Sequence, residues 1–195
     1  IEEARDAVYQ EIRRLNLEKC YLAGHSMGGA IAMSLALAYP DLLKGIVLIC
    51  TGARLRVLPA ILEGVLKDKE STVRMIMMDY AFSKAATQTT KERGFKEMMK
   101  SSAEVIYRDF AACDRFNVLG SLGAIKVPAL IICGGDDILT PPAYGEYLHR
   151  QIADSEITFA ESAGHMVMIE KPEAVNQAIA GFVRRRSGGS GPRTR

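Results

Sequence analysis

The sequence predicts an α/β fold, a mostly parallel sheet with helices on its faces. Two continuous apolar runs, 45–50 and 129–133, read as strands covered on both sides. Shorter strand-like segments at 20–24 and 157–159 complete a set of four. Helical stretches lie between and after them, and this alternation calls for right-handed crossovers within one sheet. The composition suits a packed domain: 48% of the 195 residues are hydrophobic, 25% are charged, and the mean hydropathy is +0.04. Disordered, collagen-like and disulfide-framework classes are thereby excluded.

Residues 1–16 place Ile1, Ala4, Val8, Ile12 and Leu15 on one stripe, with charges elsewhere, which predicts an amphipathic helix. The first strand, 20–24, leads into a small-residue helix at 27–38 that Pro40 closes, and the second strand follows at 45–50. The gap 52–126 is far longer than a crossover requires. Within it Val73, Ile76, Met77, Tyr80 and Ala81 form one helical stripe and Met75, Met78 and Phe82 a second, as expected of a helix between two layers. Phe95, Met98, Met99 and Ile106 read as one further helical face. The insert is therefore expected to be a small all-helical subdomain over the sheet. The third strand, 129–133, a helix at 142–152, the fourth strand and a helix at 172–183 complete the core. Residues 187–195 read as a disordered, linker-like tail.

The formal net charge of +2 rests on Arg184, Arg185, Arg186, Arg193 and Arg195; without these five it is −3. No basic face is visible on the body, so nucleic acid is not an expected partner. No apolar run reaches the roughly 18 residues of a membrane helix. With no signal-peptide pattern, a cytoplasmic location is expected. The four cysteines, Cys20, Cys50, Cys113 and Cys133, lie mostly in or beside apolar runs and are expected to be reduced and structural. No zinc-type spacing of Cys or His occurs, so neither a metal nor a cofactor is expected.

Chemistry concentrates in three places. Gly24-His25-Ser26-Met27-Gly28 joins the first strand to the first small-residue helix, the G-x-S-x-G nucleophile elbow in its strand–turn–helix setting. Its glycines are expected because side chains at 24 or 28 would collide with neighbouring backbone. A serine hydroxyl needs a base and an acid to orient that base. His165, in a small-residue loop after the last strand, is the expected base. His25 is expected to point away from the serine, and His149 to lie on the surface. Asp136 and Asp137, at the carboxyl end of the third strand, compete as the acid.

With these motifs in the order Ser, Asp, His, residues 1–183 resemble an α/β-hydrolase-fold serine hydrolase. The resemblance favours Asp137 over Asp136, through Gly134-x-x-Asp137-x-x-x-Pro141. It implies a core in two parts, 1–51 and 127–186, and a helical lid at 52–126. It also implies hydrolysis of a carboxylic ester or lactone by Ser26, His165 and Asp137, with the Met27 N–H in the oxyanion hole. Met75, Met77, Met78 and Met166 are the expected substrate contacts, and the substrate a small molecule with an apolar acyl part. A C–C bond hydrolase and a slow-turnover ligand receptor share the fold and stay open as alternatives. In the family, several strands precede the elbow strand, and the loop after the third supplies another oxyanion donor. Here only residues 1–19 precede it, so the N-terminal part of the sheet is expected to be absent, with weak or no activity and self-association at the open edge.

Overall fold

A computed structural model describes residues 1–187. All but Ser187 of the predicted tail lies outside the described residues. Helix α1 (Glu2–Arg14) leads to β1 (Cys20–His25), α2 (Met27–Ala38) and β2 (Leu43–Ile49). The insert holds α3 (Pro59–Lys67), α4 (Lys69–Met75), a π turn (Ile76–Tyr80), α5 (Gln88–Met99) and α6 (Ala103–Arg115). The core resumes with β3 (Ala129–Gly134), α7 (Pro142–Gln151), β4 (Ser155–Ala160), α8 (Val167–Glu170) and α9 (Pro172–Ser187).

The four strands pair in parallel in the order β1-β2-β3-β4, with Ile46 opposite both Leu22 and Ala129, and Ile131 opposite Ile157. Period-two alternation sorts the two central strands between two cores. Ile46, Leu48, Ala129, Ile131 and Cys133 join Met33, Leu35, Leu148 and Ile152 on one face, where α1, α2 and α7 pack. Val47, Ile49, Leu130 and Ile132 join Val175 and Phe182 of α9 on the other. Both central strands are thus almost fully buried apart from Lys44 in β2, the physical reason that 45–50 and 129–133 are unbroken apolar runs. β1 is an edge strand among the described residues.

The insert has a core of its own, with Ile61, Val65, Val73, Ile76, Phe95 and Ile106 buried together. The face read as continuous from Phe95 to Ile106 belongs to two helices, not one. Ser102 breaks it by capping α6, its Oγ accepting from Val105 N at 3.3 Å. Among the described residues, no helix is long and apolar enough to cross a membrane.

Candidate active site

Between the end of β1 and the start of α2, Ser26 makes the turn by itself, at φ 51° and ψ −114°. A non-glycine residue holds such a backbone only where its surroundings enforce it. Here Ser26 N donates to Ile49 O at 2.9 Å, and Ser26 O accepts from Gly29 N at 2.9 Å and Thr51 Oγ1 at 2.8 Å. The chain crosses itself closely enough that a Cβ on Gly24 would lie 2.0 Å from Gly28 O. Gly28 departs from expectation, because a Cβ there would meet nothing within 4 Å. The second crowded glycine is Gly29, whose Cβ would come 2.5 Å from Thr51 Cγ2. Met27 N, first in α2, donates to no backbone carbonyl among the described residues, as the opening turn of a helix dictates. Its side chain packs into the sheet core rather than toward the site.

The loop after β3 exposes Asp136 and buries Asp137, which is 2% exposed. Asp137 Oδ1 accepts from Leu139 N and Thr140 N, both at 2.9 Å. Its Oδ2 accepts from Thr140 Oγ1 at 2.6 Å and His165 Nδ1 at 2.8 Å. Burial pushes this carboxyl's pKa up, but the hydrogen bonds and charge of His165, with the Thr140 bonds, outweigh it and leave the value below the ordinary one. The carboxylate acceptor assigns the imidazole proton to Nδ1, leaving the Nε2 lone pair free to take another. Thr140, not singled out from the sequence, also lies 3.1 Å from Nδ1. Its signal was a hydroxyl three residues after Asp137, the spacing at which a side chain closes a loop onto a carboxylate.

His25 does not point away from Ser26. It lines the same cavity, its ring 4.6 Å from that of His165, and its Nε2–H donates to His165 O at 2.9 Å. Burial first, then the neighbouring His165, push its pKa down to about 4, so it is neutral near pH 7. As the last residue of β1 it stands at the carboxyl edge of the sheet, where the elbow and the histidine loop meet. His149 is exposed on α7, 2.9 Å from Ser155 Oγ.

Ser26, His25, Thr140, His165 and Met166 form the floor of a cavity of about 500 Å³, and the insert supplies most of its apolar wall. Of the expected contacts, Met77 stands on that wall and Met166 on the floor, but Met75 and Met78 do not line the cavity. Ile76, Met77, Tyr80 and Ala81, which share one helical stripe, face the cavity, and the segment ends in a π turn in which Ala81 N donates to Ile76 O at 2.8 Å, five residues back. Met75 and Met78 pack against the insert's own core instead, and Gln88 Nε2 donates to Met78 Sδ at 3.6 Å. Met98 and Phe110 are wall residues that were not assigned from the sequence.

Cys50, Asp137 and His165 offer donor atoms within 4.8 Å of one another, all buried. They do not fit a metal. The carboxylate oxygens are committed to four hydrogen bonds, and burial, then the Asp137 charge, push the Cys50 thiol far up, so it stays protonated.

A family model described as serine aminopeptidase, S33 (Hydrolase_4), matches residues 2–172. The chain belongs to this family. It is a serine hydrolase of the α/β-hydrolase fold. It is 29% identical over 196 residues to a pimeloyl-[acyl-carrier protein] methyl ester esterase of Neisseria meningitidis serogroup C, a match that covers 94% of this chain and 75% of that protein. Among solved structures it is similar to a thermophilic esterase, at 37% identity and a TM-score of 0.84, covering 93% of this chain and 73% of the other. The enol-lactonase of Burkholderia xenovorans LB400 shares the fold, with a TM-score of 0.87 at 22% identity over 93% of this chain and 72% of that one.

Proposed function

We propose that this serine hydrolase cleaves carboxylic esters or lactones with an apolar acyl group, with Ser26 as nucleophile, His165 as general base and Asp137 as the orienting acid. The observation that carries the reading is the His165 Nδ1 to Asp137 Oδ2 bond of 2.8 Å, placed beside a cavity whose floor His165 shares with a backbone-strained Ser26. Ser26 Oγ attacks the carbonyl carbon while His165 Nε2 takes its proton, and the imidazolium is stabilised by Asp137. The Met27 N–H, at the positive end of α2, is available to the oxyanion. Collapse breaks the bond to the leaving oxygen, which receives the proton from His165. Water, activated by the same histidine, then releases the acid. The apolar wall supports an apolar acyl group, and the esterase and lactonase relatives support an oxygen leaving group. Turnover of p-nitrophenyl esters by the chain, against Ser26→Ala, tests this. The expected outcome is weak hydrolysis that the substitution abolishes; equal rates for the two proteins would overturn the reading.

A further inference from the structure

Glu170, on α8, lies outside the residues assigned to chemistry, yet it joins the loop of His165 to the insert. Its Oε1 accepts from Gly164 N at 2.7 Å and its Oε2 from Ser83 N at 3.0 Å. Gly164 immediately precedes His165, and Ser83 lies just beyond the π turn that walls the cavity. Beside this bridge, Met166 N donates to Ala81 O at 3.0 Å. Both chain neighbours of His165 are therefore held by their amides, one on the carbonyl of Ala81 and the other on a carboxylate shared with Ser83. The approach is that of backbone to backbone: a Cβ on Gly164 would lie 2.6 Å from Ser83 N and 2.7 Å from Phe82 C. Glycine at 164 is what lets loop and insert touch. Ser83 is 2% exposed and Gly164 is buried, so removing the carboxylate would leave two buried N–H groups without their acceptor.

We infer that Glu170 is a positioning residue, which fixes the His165 loop to the wall of the substrate cavity so that the seating of the insert sets where the imidazole stands. This rests on the reading of His165 as the base for Ser26. Glu170 itself faces a separate, smaller cleft, with Ser162 and Lys171, and does not line the substrate cavity. Both bridging bonds are charge-assisted and share one acceptor group, so they hold or fail together.

Glu170→Gln keeps the shape but turns an NH₂ toward one of the two amide donors. With active sites counted by a fluorophosphonate probe, kcat per labelled site is expected to fall 10- to 100-fold, on the order expected when a reacting group is displaced by up to about an ångström. KM should change less than kcat, because Glu170 itself does not line the substrate cavity. The probe's rate of reaction with Ser26 should fall with kcat. In the unsubstituted chain, the amide hydrogens of Gly164 and Ser83 should exchange slowly and with matching protection, and both should become fast in the variant. Unprotected exchange at either amide in the unsubstituted chain would overturn the bridge, whether or not the variant folds. An unchanged kcat per labelled site would overturn the positioning role, even if the melting temperature dropped. If the unsubstituted chain does not react with the probe at all, it is the assignment of Ser26 and His165 that fails.

Discussion

Asp137 commits both oxygens to four donors, and only one of those donors, His165 Nδ1, belongs to a group proposed to move protons. Asp137→Asn keeps the shape but offers an NH₂ where Oδ2 accepts, favouring the wrong imidazole tautomer. A loss of about 10⁴ in kcat is expected, as in serine proteases. Asp136→Asn should stay within a few-fold of the parent, since that side chain is exposed and its backbone bond to Ala163 O survives. Steady-state kinetics of both variants check the pair, and the reverse order of damage would move the acid to Asp136. His25 yields a stability prediction. Its pKa is about 4 in the fold against 6.5 for a free imidazole, so between these values the unfolded chain binds a proton that the folded chain does not. Stability from this group is full above pH 6.5 and is lost as pH falls toward 4, about 2 kcal/mol between pH 7 and 4.5. Urea unfolding at the two pH values, for the parent and for His25→Gln, should show that part of the acid loss disappearing in the variant.

At the scale of elements, the stripe that the insert turns toward the cavity separates the methionines: Met77 and Met98 line it, and Met75 and Met78 do not. Met77→Ala and Met98→Ala should each move the preferred acyl length upward, with relative kcat/KM across an ester series changing by about 10- to 200-fold per step of pocket shape. Met75→Ala and Met78→Ala should leave the order of preference alone and lower the melting temperature, because both pack on the insert's core. Residues 73, 76, 77, 80 and 81 stood out in the sequence as one stripe and 75, 78 and 82 as another, but a helix expected between two layers gave no sign of which stripe faces the cavity. The sequence therefore listed Met75 and Met78 beside Met77, and the packing of the insert separates them. The break between α5 and α6 was obscured for a related reason, since Ser102 interrupts the backbone without interrupting the apolar face. The serine–serine pair at 101–102 was the available signal.

Over the whole molecule, what was legible in the sequence is what burial imposes on composition. Strands β2 and β3 lie between two cores, so from Gly45 and from Ala129 onward they had to be apolar, and the parallel sheet could be read from them. The G-x-S-x-G turn and the loops carrying Asp137 and His165 were legible because each sits at the carboxyl end of a recognisable strand. Contacts between distant segments left no such trace. Neither the His25 bond to His165 O nor the Glu170 bridge has a local pattern, since each depends on where two loops meet in space. The central claim is that these loops assemble around one nucleophile, and covalent labelling tests it most directly. The 195-residue chain treated with a fluorophosphonate and mapped by peptide mass spectrometry should carry the adduct on Ser26, with labelling abolished in Ser26→Ala and strongly slowed in His165→Ala. An adduct on another serine, such as Ser162, or equal labelling with and without His165, would contradict the account.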